Sequence, residues 1–273
     1  MGRKAHPASC IIPRVFVLLD PSRRPVIGHR GNRAHAPEDT LVSFAQAVAL
    51  GVDALELDVR LSRDGVPVII HDPTLDRTTG ATGPVAERTV AELARVDAGT
   101  RFSTDGGRTR PYHGLGIGVP TLEEILVTYP AMPCLIEIKA VAAAEPVLRL
   151  LGRLHATDRV LMSSFRDEAL LPFTAAGLPV SAATRALSKL YLPALVGARP
   201  ASLSFQAMCI PRSFRGLPLP VAGLTRLMAS HGGPVHLWTV NDRATARALW
   251  GVGVSGIITD DPAVILAERG IVG

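Results

Sequence analysis

The chain has 273 residues, 47% of them hydrophobic, with a mean hydropathy of +0.26, enough to bury one large core; α/β barrels of about 250 residues form single domains. The formal charge of +5, from 29 basic against 24 acidic residues, is mild and suits either an anionic small-molecule substrate or an ordinary soluble protein. With 4% aromatic content and no basic stripe interleaved with stacking residues, nucleic acid is excluded as a partner.

From the start of the chain, MGRKAH is basic and Cys10 to Leu19 fairly apolar, as a secretory signal begins. Pro13, Arg14 and Asp20 interrupt the run and no small-residue cleavage site follows, so residues 1–25 read as a frayed N-terminal extension. Cys10, Cys134 and Cys209 are odd in number and widely spaced, which gives neither a disulfide framework nor a CxxC metal site and favours a reducing, cytoplasmic setting. No stretch approaches the roughly 18 apolar residues of a membrane span, so no stable membrane anchor is expected.

Val26 to Arg30 is predicted as a strand and Thr40 to Leu50 as a helix with Asp39 as its N-cap. Ala54 to Leu61 is the second strand. The next apolar run, Val66 to His71, follows after Ser62, Arg63, Asp64 and Gly65 alone, too few residues for a parallel crossover, so it returns antiparallel. With those four residues as the loop, Leu61 faces Val66 and His71 lies opposite Glu56 on one face. The stretch of about sixty residues, 72–133, is far longer than a βα connection of about 2 to 6 residues and reads as an insertion over the mouth of the fold. It carries helical patches at Val90 to Val96 and Thr121 to Tyr129, the second opened by a Thr121/Glu124 capping box. Strands follow near Leu135 to Lys139, Val160 to Ser164, Val180 to Thr184, Ser202 to Gln206, Val235 to Val240 and Gly256 to Thr259. Without the hairpin's return strand the count is eight, the number a closed TIM (β/α)8 barrel requires, with the domain running over residues 26–273.

In such a barrel the active site lies at the C-terminal ends of the strands. There the first strand carries His29 and Arg30, the second Glu56 and Asp58, the third Glu137 and Lys139. The last two are i, i+2 pairs, each projecting from one face of its strand. Three carboxylates in one mouth repel each other unless positive charge sits among them. One divalent cation, Mg²⁺ or Ca²⁺, meets that need and leaves positions for substrate oxygens; the alternative is a buried salt-bridge network with Arg30 and Lys139. Two histidines near a metal-bound phosphate supply the base and the acid that phosphodiester cleavage needs, with Arg30 and Lys139 neutralising its non-bridging oxygens.

The run VIGHRGNRAHAPEDT, continued by ALELDVRLSRDGVPVIIHDPTLDRTT, VPTLEEIL, LIEIK, WTVN and GIITDDP, resembles the glycerophosphodiester phosphodiesterase family, related to phosphatidylinositol phospholipase C-like TIM-barrel phosphodiesterases, over most of Val26 to Pro262. The resemblance implies hydrolysis of a small-molecule phosphodiester to glycerol 3-phosphate and an alcohol. His29 and His71 would be acid/base catalysts, with His29 preferred as base and His71 as acid, and Glu56, Asp58 and Glu137 would ligate the cation. Arg30 and Lys139 would contact phosphate, Trp238 would stand beside the substrate, and Glu38 would support the residues in contact with it. The family's usual PENT reads Pro37, Glu38, Asp39, Thr40 here, which exchanges a donor-acceptor amide for an acceptor-only carboxylate. His35, His113 and His236 read as structural or surface residues. Two other functions are weighed: a lipid-directed phosphodiesterase or lyase that forms a cyclic phosphate, which should show an exposed apolar rim, and a non-catalytic barrel that binds a phosphorylated ligand.

Overall fold

A computed structural model of the chain describes residues 16–272; the sequence reading of residues 1–15, Cys10 included, lies outside them. Short Val- and Ile-rich runs form β1 (Val26–His29), β2 (Ala54–Leu61), β4 (Cys134–Ile138), β5 (Val160–Ser163), β6 (Met208–Pro211), β9 (Val235–Trp238) and β10 (Gly256–Thr259), all parallel to their barrel neighbours in the order β5-β4-β2-β1-β10-β9-β6. Between β5 and β6 the barrel is completed by single bridges, Met162 to Val180 and Ser181 to Ala207. The strand expected over Val180 to Thr184 is therefore only two residues long. The strand expected at Ser202 to Gln206 is displaced to Met208–Pro211, because that run finds a parallel partner in β9 while residues 201, 202 and 204 face solvent.

Helices α1 (Leu41–Leu50), α4 (Ala144–Arg153), α5 (Asp167–Ala175), α6 (Thr184–Val196), α7 (Val221–Ala229), α8 (Arg243–Gly251) and α9 (Pro262–Val272) surround the strands. The outward faces of β2 and β4, with Leu55, Leu57, Val59, Ile136 and Ile138, pack with Phe44, Val147 and Phe173 of the helices in the main core. A smaller cluster fills the barrel interior: Ile27, Ala54, Leu135, Leu161, Ala207 and Ile258 close around Leu18. Leu18 is fully buried and its carbonyl accepts a 2.8 Å hydrogen bond from His236 Nε2, so the segment just before β1 is docked rather than frayed.

Thr40, not Asp39, caps α1: its hydroxyl accepts from Ser43 N at 3.2 Å, while Asp39 has φ +58° and turns inward. Gly31, with φ +89°, lets the chain pass so close to α1 that a Cβ there would collide with Ser43 and stand 2.8 Å from Phe44 N.

The return strand of the hairpin, β3 (Pro67–Ile69), is antiparallel to β2 as expected, but its register differs from the expected one. Leu61 faces Pro67 and Val59 faces Ile69, one residue out of step. The cause is the loop. Ser62 and Val66 already pair, with Ser62 N bonded to Val66 O at 3.0 Å, so the loop is the three residues Arg63, Asp64 and Gly65, closed by Gly65 at φ +78°. One residue of slip exchanges the two faces of a strand, and a continued β3 would carry His71 to the face away from Glu56. The strand ends at Ile69 instead, and the chain bends inward over Ile70 and His71.

Residues 72–133 form α2 (Val90–Leu93) and α3 (Leu122–Thr128), each with a complete capping box, Thr89/Glu92 and Thr121/Glu124. Leu75, Val85, Leu93 and Val119 pack on Val68 and Ile70 to make a separate small core on the hairpin. A two-strand hairpin absent from the sequence reading, β7 (Ser213–Phe214) and β8 (Leu217–Pro218), follows β6.

Candidate active site

Parallel pairing sets the levels of the site. His29 is in register with Glu56, and Asp58 with Glu137. Strand alternation then points Glu56, Asp58, Glu137 and Lys139 into the barrel mouth. Carboxylate oxygens of Glu56, Asp58 and Glu137 lie within 4.8 Å of one another. Burial, reinforced by the charge of Asp58, pushes the Glu56 carboxyl well above the ordinary carboxylate range, and burial also raises Glu137. Burial acts on Asp58 in the same sense, but Lys139 and Arg30 outweigh it and hold Asp58 below that range.

The same two cations tie the acids together. Lys139 Nζ stands 2.9 Å from Asp58 and 2.7 Å from Glu137, Arg30 Nε stands 2.8 Å from Asp58, and Arg30 N donates to Glu56 at 3.0 Å. Both Asp58 oxygens and Glu137 Oε1 are buried, and their contacts with Arg30 and Lys139 are these ion pairs. Three hard oxygen ligands gathered within 4.8 Å, two of them with raised pKa, fit a divalent cation. The salt bridges and the metal-ligand set are thus one cluster.

Both predicted histidines reach the cavity of about 70 Å³ that Arg30, Glu56, Glu137, Lys139 and Trp238 also line. Each is backed by a carboxylate: His29 Nδ1 meets Asp260 at 2.6 Å, and His71 Nδ1 meets Asp72 at 2.6 Å. Asp260 is positioned in turn by Asn241 Nδ2 at 3.0 Å. Although burial works to raise Asp260, its bond to His29 holds it below the ordinary range and so ionised. Arg60 Nε donates to the His71 carbonyl at 2.8 Å, which fixes the bend after β3. Burial pushes the His71 imidazole below its ordinary pKa, Asp58 opposes that shift, and Lys139 adds to it.

Glu38 lies behind this layer and binds three guanidinium groups, those of Arg30 at 2.7 Å, Arg33 at 2.9 Å and Arg77 at 2.6 and 2.9 Å. Those cations overcome its burial and keep it well below the ordinary carboxylate range. Asp39 is buried with no donor to either oxygen among the described residues; burial and then the charge of Asp58 raise it well above that range. Trp238 meets Phe165 edge-on, ring centroids 6.0 Å apart.

A family model described as the glycerophosphoryl diester phosphodiesterase family matches residues 29–264. The chain belongs to that family. Among relatives, YhdW of Bacillus subtilis (strain 168) is 34% identical over 257 residues, which cover 89% of this chain and 97% of that one. A glycerophosphodiester phosphodiesterase of Caldanaerobacter subterraneus is 30% identical over 249 residues, covering 88% of this chain and 96% of the other. The solved structure of an Oleispira antarctica phosphodiesterase, which holds its product sn-glycerol 3-phosphate, superposes with a TM-score of 0.73 at 28% identity, over 91% of this chain and 97% of that one. As a member of the family the chain is a phosphoric diester hydrolase with a metal-dependent site.

Sequence reasoning did not assign Asp72, Asp260, Asn241 or Arg77. The signal was present, since the HD, TDDP and WTVN segments place Asp72, Asp260 and Asn241 next to a candidate histidine or just past a strand's C-terminal end. A carboxylate there is the expected partner of an imidazole Nδ1. Among the described residues no helix is long and apolar enough to cross a membrane.

Proposed function

We propose that the chain hydrolyses glycerophosphodiesters to glycerol 3-phosphate and an alcohol, with His29 and His71 moving protons on either side of the phosphorus. The observation that carries this reading is the pair of carboxylate-backed imidazoles lining one cavity with a three-carboxylate cluster. A carboxylate on Nδ1 selects the tautomer, orients the ring and steadies the imidazolium, leaving Nε2 for proton transfer. His29 takes the proton of the attacking oxygen, and Asp260 balances the charge that forms. His71 gives a proton to the leaving alkoxide. A phosphodiester monoanion arriving beside His71 opposes the burial that lowers its pKa, so the imidazolium forms with substrate in place.

Arg30 and Lys139 hold the non-bridging oxygens, and Glu38 keeps the Arg30 guanidinium oriented. Trp238 supplies an apolar wall beside the reacting group. Glu56, Asp58 and Glu137 hold one divalent cation, Mg²⁺ or Ca²⁺, which when bound supplies Lewis-acid stabilisation of the phosphoryl oxygens. The substrate is a small molecule turned over in the cytoplasm.

The test is turnover of glycerophosphocholine, glycerophosphoethanolamine and glycerophosphoglycerol, with and without chelator and with each ion restored, followed by phosphorus NMR. Glycerol 3-phosphate is expected; accumulation of a cyclic phosphate would make the enzyme a lyase. His71→Ala should lower kcat by roughly 10²- to 10⁴-fold, the usual worth of a positioned proton donor, with metal affinity retained. Glu56→Ala should lose both, and near-normal rates in either variant would sink the assignment.

A further inference from the structure

Beside the catalytic cavity lies a larger one of about 300 Å³, and the two share Glu137, Ser163, Phe165, Cys209 and Trp238 as walls. A group that fills it would lie directly beside one held in the catalytic cavity. At this volume it falls within the range of small-molecule sites, roughly 300–1,000 Å³. Its outer wall is α6, through Leu187, Ser188 and Tyr191, and it is flanked by Phe214 and Leu217 of the β7–β8 hairpin.

The chemistry of the walls identifies the occupant. Glu137, at the catalytic end, is the single charged residue among the described residues that line it. Three lining hydroxyls are turned into the protein: Ser164 donates to Ile138 O at 2.7 Å, Ser188 to Thr184 O at 2.8 Å and Tyr191 to Pro218 O at 3.2 Å. The rest of the lining is mostly apolar, with Leu187, Phe214, Leu217, Leu219 and Trp238 beside the hydroxyls of Ser163 and Thr184 and the Cys209 thiol. A sugar or polyol would find few partners there and would leave its own hydroxyls unsatisfied. A quaternary ammonium would need aromatic faces standing apart, whereas Phe165 packs directly on Phe214 and Trp238, centroids 6.1 and 6.0 Å away. On α6, Leu192 and Leu195 stand one turn on from Ser188 and Tyr191 and, like Leu217, are more than half exposed. The apolar face continues from the cavity to the surface. Leu192 and Leu195 of α6 and Leu217 of the β7–β8 hairpin thus offer an exposed apolar rim of the kind a lipid-directed enzyme should show.

We propose that this cavity holds a single alkyl or acyl chain, so that the enzyme's substrates include phosphodiesters in which one esterified alcohol bears such a chain. The inference rests on the phosphodiesterase reading and leaves its bond changes as they are. Water supplies the oxygen that joins phosphorus, the bond from phosphorus to the leaving alcohol breaks, and that alcohol departs with a proton.

Two substrate series test it, both assayed below their micelle concentrations with the metal-loaded enzyme. One carries 2 to 10 carbons as an acyl group on the glycerol of glycerophosphocholine. The other carries an n-alkanol in place of choline. In the accepted series KM should fall by about fourfold per methylene, the free energy of burying each group, until the cavity is full, and the responding series tells which alcohol bears the chain. Ser188→Phe, on the exposed face of α6, should reduce the advantage of the longest over the shortest substrate by at least tenfold, as should Leu187→Trp if the first variant folds poorly. Flat KM values in both series, with glycerophosphocholine turned over normally, would overturn the proposal and leave the phosphodiesterase reading intact. Competitive inhibition by tetramethylammonium, with no gain from chain length, would overturn it in favour of a choline site. Failure to turn over any diester with either ion would remove the underlying reading and the proposal together.

Discussion

Asp39 sits behind Arg30 with its backbone in the left-handed region, φ +58°, and among the described residues no group donates to its carboxylate. Its pKa is raised well above the ordinary value of 3.8, by burial first and the charge of Asp58 second. An acid raised on folding binds its proton more tightly in the native state. Its contribution is fully present below the unfolded pKa and declines as pH rises toward the folded one. Asp39→Asn keeps a residue tolerant of this backbone and removes the titration, so its melting temperature should exceed that of the parent by a margin that widens as pH rises above the ordinary aspartate value of 3.8 in paired thermal melts. The sequence showed that Asp39 departs from the resembled motif, but not that its side chain turns inward, since a residue before a helix reads as a cap. His29, Arg30, Glu56, Asp58, Glu137 and Lys139 were legible as a constellation because strand alternation alone puts them at one end of three strands. Asp260 and Asn241 were harder to assign, because their contact with His29 exists only once the last strands have joined the first.

At the scale of elements, Gly31 and Gly65 share a positive φ and have different surroundings. A methyl at Gly65 meets nothing within 4 Å, so Gly65→Ala should cost about 1 kcal/mol, the conformational penalty alone. A methyl at Gly31 runs into the backbone of α1, so Gly31→Ala should cost about 3 kcal/mol or more through forced displacement of helix from strand. Urea unfolding of the two variants separates these outcomes, and equal losses would contradict the close approach of β1 and α1. β2 was readable to the residue, Ala54–Leu61, because eight residues of Val, Leu and alternating acids admit one assignment. The hairpin register was not, since Arg63-Asp64-Gly65 and Ser62-Arg63-Asp64-Gly65 are both acceptable loops and only the Ser62–Val66 pairing chooses between them. The run from Ser202 to Pro211 likewise offers two short apolar segments, and β9 decides which becomes the strand.

Over the whole molecule, His236 makes stability depend on acid. It is fully buried, its one side-chain hydrogen bond among the described residues is the one it donates to the Leu18 carbonyl, and burial pushes its pKa down to about 4. The unfolded chain takes up this proton from about pH 6.5 downward and the folded one does not until about pH 4. Stability therefore falls as pH drops through that window, by about 3 kcal/mol if the shift is fully expressed. His236→Gln should flatten the slope of unfolding free energy between pH 6.5 and 4, and an unchanged slope would exclude the residue as its source. The barrel as a whole was legible from strand spacing, while the docking of residues 16–19 into its floor was not, because a lone short apolar segment carries no period to read. That docking has a temporal side. Leu18 leaves the ribosome well before the histidine that fastens it, which lies 218 residues later in the chain. The segment must wait, uncovered, while nearly the whole barrel is synthesised, and contacts so distant in sequence form late. The segment that precedes β1 is thus seated only after the strands that close the barrel over it, and the closed floor reports that those strands are in place.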